Sequence, residues 1–214
     1  MTNVLATPEK RPRRDRLFQI GVETLVQRGW KVERMPGIGK ASVRRITSGE
    51  ESRTVSIRTS QDTWLAFPRN KQDNGWITLS EVDVVLAVSV DDRDAPRFAQ
   101  VHMIEADEMR RRFDRAYAAR NAAGYSIPLG RGVWVSLYHP DATDPVTHVG
   151  GGVGLDHPPI ARVLLQPEDL DSDVIVQAKH QLNGDKPLTI AEAKRRLAMT
   201  LGVDPANVKI TVEA

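Results

Sequence analysis

Residues 53–69 have the sequence RTVSIRTSQDTWLAFPR, and the predicted fold depends on this stretch. Successive side chains of an extended strand point to opposite faces, so Val55 and Ile57 would share one face while Ser56 and Arg58 share the other. An apolar and aromatic segment, residues 64–67, predicts that the chain continues as a strand. The face that carries Ser56 and Arg58 therefore holds the polar side chains whose chemistry has to be explained.

The segments around this stretch predict a mixed α/β domain. Apolar residues at three- and four-residue spacing predict a helix from Asp15 that ends at Gly29. Alternating patterns predict strands at 30–35, 41–47 and 53–59. The almost continuously apolar run 82–90, VDVVLAVSV, is typical of a strand covered on both faces. Strands at 99–104 and 133–138 and a helix at 106–122 complete the prediction.

We predict four regions along the chain. Residues 1–14 are a basic and flexible N-terminus, 15–140 the main α/β domain, 141–159 a Gly/Pro-rich linker or loop, and 160–214 a small C-terminal α+β unit. The helix of that unit begins with a capping box, Thr189 to Glu192, and the final strand is Val208–Val212. This strand is expected to pair with another strand, in the same chain or in a second copy, so a homo-oligomer is one expectation.

Composition excludes several classes of protein. Hydrophobic residues make up 40% of the 214 residues and charged residues 27%, which are ordinary globular values. The chain has no cysteine, so it has neither disulfides nor thiolate metal sites. It also has no apolar run near the roughly 20 residues of a membrane helix and no secretory signal pattern. We expect a cytoplasmic protein without a membrane partner, a metal or another cofactor.

Positive charge is concentrated in three short segments, although the formal net charge is only +2. The segments are 10–16, 40–58 and 110–120. Such clusters favour a polyanionic partner. The alternative for each cluster is a solvated face that nearby acids balance. Four acidic residues, Glu105, Asp107, Glu108 and Asp114, lie within or just before the third cluster.

The order of elements and the motif V-S-I-R-T-S at 55–60 resemble the PD-(D/E)XK nuclease superfamily, which includes restriction endonucleases and Holliday-junction resolvases. The resemblance covers roughly residues 15–120. It implies a restriction-endonuclease-like mixed sheet flanked by helices. In the family's strand pattern (I/V)-E-(I/V)-K-(T/S)-S, the glutamate holds magnesium through hard oxygen ligands, and the lysine assists the attacking water.

The residues that would perform this chemistry are replaced in the present chain. The glutamate position falls on Ser56, the lysine position on Arg58, and a helix glutamate found in some relatives would align near Gln19. No acid occupies residues 42–45, where the resemblance places an aspartate. Serine is a poor magnesium ligand, and arginine cannot act as a base. The resemblance therefore implies a pseudo-nuclease.

Three functional hypotheses follow. The first is non-catalytic binding of nucleic acid, with DNA favoured, through guanidinium and ammonium contacts to phosphate. Its predicted contact residues are Lys40, Arg44, Arg45, Arg58, Ser60, Gln61 and Trp64. The second is a protein-interaction or assembly protein in which Arg58 pairs with a local acid, Glu33 or Glu51. The third is a metal-dependent nuclease with a relocated site.

Overall fold

A computed structural model describes residues 10–35, 42–128 and 130–166, with side chains from Arg13 onward. Lys40, residues 1–9 and the predicted helix and strand of the C-terminal unit lie outside the described residues. The described elements are α1 (Lys10–Gln27), β1 (Lys31–Arg34), β2 (Val43–Ser48), β3 (Glu51–Ser60), β4 (Trp64–Pro68), β5 (Val84–Val90), β6 (Phe98–Glu105), α2 (Ala106–Ala122), β7 (Gly132–Ser136), α3 (Val153–Asp156) and β8 (Ala161–Leu164).

The protein is a mixed α+β structure built on a six-stranded sheet, as the sequence predicts. The strand order is β1-β2-β3-β5-β6-β8. Strands β3 and β5 are parallel, and every other neighbouring pair in this sheet is antiparallel. All seven residues of β5 are buried, which agrees with its continuously apolar sequence and its central position.

Helix α1 covers one face of the sheet. Its apolar stripe packs Leu17, Ile20 and Leu25 against alternate residues of β3 and β5, as the helical periodicity predicts. Gly21 permits this close approach, because a Cβ atom there would lie 2.9 Å from Val88 Cγ2. Gly29, with φ of +86°, ends the helical segment at the expected place.

The opposite face is covered by α2 and by a second sheet. Among the described strands, β4 and β7 pair with each other alone, in antiparallel register, and their inner face joins the core that α2 forms with the main sheet. Phe67 of β4 contacts Phe113 of α2 edge-to-face, with ring centroids 5.1 Å apart. The aromatic segment after β3 therefore forms a separate layer over the sheet.

The folded domain continues past the predicted boundary at residue 140. The segment predicted as a linker or loop contains a 3-10 turn at Val146–His148 and the short α3, and its residues 149–154 are buried. Strand β8 then pairs with β6 at the edge of the main sheet. The glycines at 150–152 and 154 allow the close backbone packing of the first part of this segment, which composition alone does not distinguish from flexibility. Among the described residues, none of the helices combines the length and apolarity that crossing a membrane requires.

Candidate nucleic-acid interface

Ser56 and Arg58 lie on the face of β3 that is covered by α2 and β4. Ser56 is 0% exposed, and its Oγ has no hydrogen-bond partner among the described residues. The guanidinium carbon of Arg58 lies 4.2 Å from the centroid of the Phe67 ring, a cation–π contact, and its Nε is buried with no hydrogen bond to any part of the chain that the structure describes. The structure does not show the predicted alternative, an ion pair to Glu33 or Glu51, since Glu33 bonds Lys31 instead.

Burial lowers the pKa of Arg58 to about 10. A guanidinium with this pKa remains a cation at neutral pH, so it does not accept the proton of an attacking water. The position that carries lysine in the nuclease pattern thus holds a fixed charge in a largely apolar setting.

Arg44 lies on the opposite face of the sheet from Arg58, which separates these two residues of the predicted contact set. Arg44 pairs in register with Val55 on the α1 side of the sheet, where its guanidinium lies 5.0 Å from the centroid of the Phe18 ring. Burial, together with the like charge of Arg34, lowers the pKa of Arg44. Arg45 is exposed and pairs in register with Thr54, so it lies on the same face of the sheet as Ser56 and Arg58.

The remaining predicted contact residues also have separate environments. Ser60 is 3% exposed and donates to Asp62 Oδ1 at 3.1 Å. Trp64, half-buried on β4, packs edge-to-face on His139 with centroids 5.4 Å apart. Gln61 is partly exposed. Gln19 is exposed on α1, where its side-chain amide donates to Glu23 at 3.3 Å. Because α1 covers the face of β3 opposite to Ser56, the sheet separates Gln19 from Ser56.

The structure gathers a different set of cations at one end of the sheet. Arg34 and Arg44 are directly opposite each other in the antiparallel pair β1–β2. Helix α1 runs along this strand pair in the direction opposite to β1. The Leu25 carbonyl of α1 accepts a hydrogen bond from the Trp30 amide, just before β1, and the Phe18 ring contacts Arg44, which faces the last residue of β1. The first turns of α1, which contain Lys10, Arg11, Arg13, Arg14 and Arg16, therefore lie at the same end. We call this set, 10–16 with Arg34 and Arg44, the basic end.

The third arginine cluster forms internal contacts across several elements, whereas Arg14 and Arg16 of the basic end pair with Asp15 and Glu23 of α1 itself. Arg110 pairs with Asp107, Arg112 with Glu108 and Asp156, and Arg115 with Asp141. Arg120 is 8% exposed and donates to three backbone carbonyls. These contacts tie α2 to residues 141–157, which agrees with the expectation that nearby acids balance this cluster.

A buried histidine of β6 forms a polar link in the core. His102 is 0% exposed, and its Nδ1 lies 2.7 Å from the His157 carbonyl oxygen. A carbonyl only accepts, so Nδ1 carries the proton, and Nε2 accepts from the Tyr138 hydroxyl at 3.0 Å. Burial lowers the pKa of His102, and it raises the pKa of Tyr138 to about 12.

His102 should make folding sensitive to mild acid. The pKa of His102 in the folded protein is depressed below the ordinary value, so its contribution to stability is present above about pH 6.5 and is lost as the pH falls below that value. The free energy of unfolding should then fall by at most about 1.4 kcal/mol per pH unit. Urea unfolding between pH 7.5 and 5 should show this loss. His102→Gln should reduce the slope, while His148→Gln, at a partly exposed position, should keep it. An unchanged slope in His102→Gln would contradict the assignment.

The described part of the chain contains no group of three or more acidic or histidine side chains placed to hold a metal ion. The chain matches no protein-family model, no curated protein and no solved structure at a significant level.

Proposed function

We propose that this protein binds nucleic acid, DNA above all, through phosphate contacts at the basic end and without cleaving it. The observation that carries the proposal is the location of two unfavourable charge arrangements at the same end of the sheet. They are the facing pair Arg34 and Arg44 and the cationic first turns of α1. A polyanion bound there would relieve both.

The first arrangement is electrostatic repulsion within a strand pair. Like charges directly opposite each other in an antiparallel pair are destabilising, and Arg34 adds to burial in lowering the pKa of Arg44. A phosphate between or beside the two guanidinium groups would replace repulsion by charge-assisted hydrogen bonds.

The second arrangement concerns the dipole of α1. The positive end of an α-helix favours acidic side chains, yet the first turn of α1 has none and contains Lys10, Arg11 and Arg13. Helix N-termini bind phosphate through their free amide groups and their dipole. The cations that disfavour the isolated helix are therefore suited to a bound phosphate backbone.

Charge along the chain has the same asymmetry. Residues 1–58 contain 13 Lys and Arg side chains against 6 Asp and Glu, whereas the whole chain is nearly neutral. Positive charge is thus concentrated in the N-terminal part of the sequence, which supplies α1, β1, β2 and β3, and such an asymmetry favours a polyanionic partner.

The proposal includes a degenerate PD-(D/E)XK fold as its structural origin. The arrangement of a helix followed by the antiparallel strands β1, β2 and β3, with β5 parallel to β3, supports it. Ser56 and Arg58 provide neither a carboxylate ligand for magnesium nor a base. Binding without hydrolysis is the chemistry that remains.

Affinity for a labelled DNA duplex should fall linearly with salt concentration on a double-logarithmic plot. Arg14→Gln/Arg34→Gln, which removes two exposed cations of the basic end, should weaken binding about 10- to 100-fold at about 0.1 M salt and reduce the slope by about 2, because two phosphate contacts are lost. Fluorescence anisotropy titrations from about 50 to 200 mM salt measure both quantities.

The matched control is Arg97→Gln/Arg131→Gln, which removes the same charge from two exposed positions elsewhere. It should change affinity and slope much less. No binding at about 50 mM salt, or equal losses in the two double variants, would overturn the proposal. Incubation of highly purified protein with DNA and magnesium should give no cleavage products.

A further inference from the structure

Two of the four tryptophans lie on the outer face of the small sheet that β4 and β7 form. Trp64 is half-buried, and Trp134 is 40% exposed. In the register of this strand pair, Trp64 faces Ser136 and Trp134 faces Ala66, so the two indoles are diagonal neighbours. Exposed apolar side chains gathered on one face are typical of a binding site, whereas isolated ones are ordinary.

An open cavity of about 210 Å³ is lined by both indoles. The other described residues of its wall are Arg120, Ile127, Gly132, Val133 and Thr147. A closed apolar cavity of about 150 Å³ takes up one benzene molecule, and the pockets of drug-sized ligands begin near about 300 Å³. The volume therefore suits a single flat ring system and is too small for a larger ligand.

The spacing of the two indoles also suits a flat ring. Cβ atoms at diagonal positions of an antiparallel pair lie about 7 Å apart. Packed carbon atoms approach to about 3.5–4.0 Å, so a ring inserted between two others needs about 7 Å. Among the described ring contacts, Trp64 packs on His139 and not on Trp134. A planar ligand can therefore contact both indoles at once.

The charge around the cavity disfavours a cationic ligand. Arg120 is the one charged side chain among the described residues of the wall, and three of its five N–H groups donate to backbone carbonyls. The others suit the ring nitrogens and carbonyl oxygens of a base, which are acceptors. Arg131, exposed and next to Gly132 of the wall, places a second cation at the rim, where it suits a phosphate.

We infer that this cavity binds a nucleobase between Trp64 and Trp134, either as a free nucleotide or as an unpaired base of a single strand. Every base has a π face, so stacking of this kind tolerates any sequence. The sheet of β4 and β7 covers the face of the main sheet opposite to α1, so the cavity does not use the cations of the basic end. Where the base belongs to a strand, the site rests on the proposed nucleic-acid function and adds a base contact to it.

The test compares a labelled single strand of about ten nucleotides with an abasic strand of equal length, which keeps the phosphates and lacks the bases. Wild-type protein should bind the strand with bases about 5- to 100-fold more tightly in anisotropy titrations, because stacking adds to the phosphate contacts. Trp134→Leu should abolish this ratio, whereas Trp134→Phe, which retains an aromatic ring, should keep most of it. Leu164→Ala, at an exposed apolar position of β8, should leave it unchanged.

AMP and ribose 5-phosphate provide the same comparison for a free nucleotide, measured by calorimetry. AMP binding that Trp134→Leu weakens, without a strand ratio, assigns the cavity to free nucleotides. A strand ratio that depends on Trp134, without AMP binding, assigns it to single strands. Failure of the DNA proposal is recognised separately, because Arg14→Gln/Arg34→Gln then has no effect while the response of Trp134 remains.

Three results would overturn the site. The first is a wild-type protein that binds both strands equally and does not bind AMP. The second is a strand ratio or AMP affinity that stays unchanged in both Trp134→Leu and Trp64→Leu. The third is Trp134-dependent binding of a proline-rich peptide in place of both nucleotide probes, which would assign the cavity to a peptide. Thermal unfolding shows whether each variant is folded, and if Trp64→Leu is not, Trp134→Leu decides alone.

Discussion

Gly150→Ala should lower the free energy of unfolding by about 3 kcal/mol, through backbone strain and steric overlap together. Gly150 has φ of +81°, where an L-residue costs about 1–2 kcal/mol. Its Cβ atom would also lie 2.5 Å from the Arg112 carbonyl oxygen of α2, a contact that only a backbone shift relieves. Overpacking of this kind typically adds about 1–3 kcal/mol. Urea unfolding monitored by tryptophan fluorescence measures the loss.

Gly124→Ala separates the two causes. Gly124 has nearly the same φ, +80°, but a Cβ atom there meets nothing within 4 Å. It should cost only the backbone strain, about 1 kcal/mol. If both variants lose the same stability, residues 150–154 do not pack on α2 as described, and the segment behaves as the linker that its composition predicts.

The same contacts explain why the Gly/Pro-rich segment folds with the domain. Arg112 of α2 donates to the Gly151 carbonyl at 2.6 Å and pairs with Asp156, and the Gly150 amide donates to Asp141 Oδ1 at 2.9 Å. Glycine is needed where backbones approach this closely. Glycine also marks flexible loops, so sequence offers no way to choose between these two roles at residues 150–154.

Periodicity predicted the elements well wherever one face of the element is apolar. The stripe Leu17, Ile20 and Leu25 marked α1, and the run 82–90 marked the central strand β5. The layer to which Trp64–Phe67 belongs was not predictable, because β4 pairs with a strand more than sixty residues later. Local pattern determines that a segment is extended, but long-range pairing determines its sheet.

The candidate site was predictable in part. Alternation alone separates Arg44 from Arg45, so their divergence could have been inferred from sequence. The neighbours of Arg58 could not, because Phe67 comes from the second sheet and the absence of an acid depends on the tertiary structure. Likewise, Arg34 and Arg44 face each other because of the register in which β1 pairs with β2, and local sequence pattern does not give that register.

Arg120→Met should destabilise the protein by about 3 kcal/mol, because Arg120 closes a junction of three elements. Its guanidinium donates to the carbonyls of Ala116 at 3.1 Å, Trp134 at 2.7 Å and Thr147 at 3.2 Å, and the residue is 8% exposed. Methionine keeps much of the side-chain volume but leaves these buried acceptors with fewer donors, which costs about 1–3 kcal/mol for each one left unsatisfied. Urea unfolding gives the change.

Arg58→Met is the matched comparison and should not lower the free energy of unfolding. The guanidinium of Arg58 forms no hydrogen bond or ion pair with another described residue, so its removal relieves an unpaired buried charge while the apolar contact to Phe67 is kept. Its unfolding free energy should be unchanged or higher by about 1 kcal/mol. A loss as large as that of Arg120→Met would mean that Arg58 is held by the fold itself. Since a structural arginine and a ligand-binding arginine differ in whether the empty protein needs them, this pair of variants distinguishes the two roles without a ligand being known.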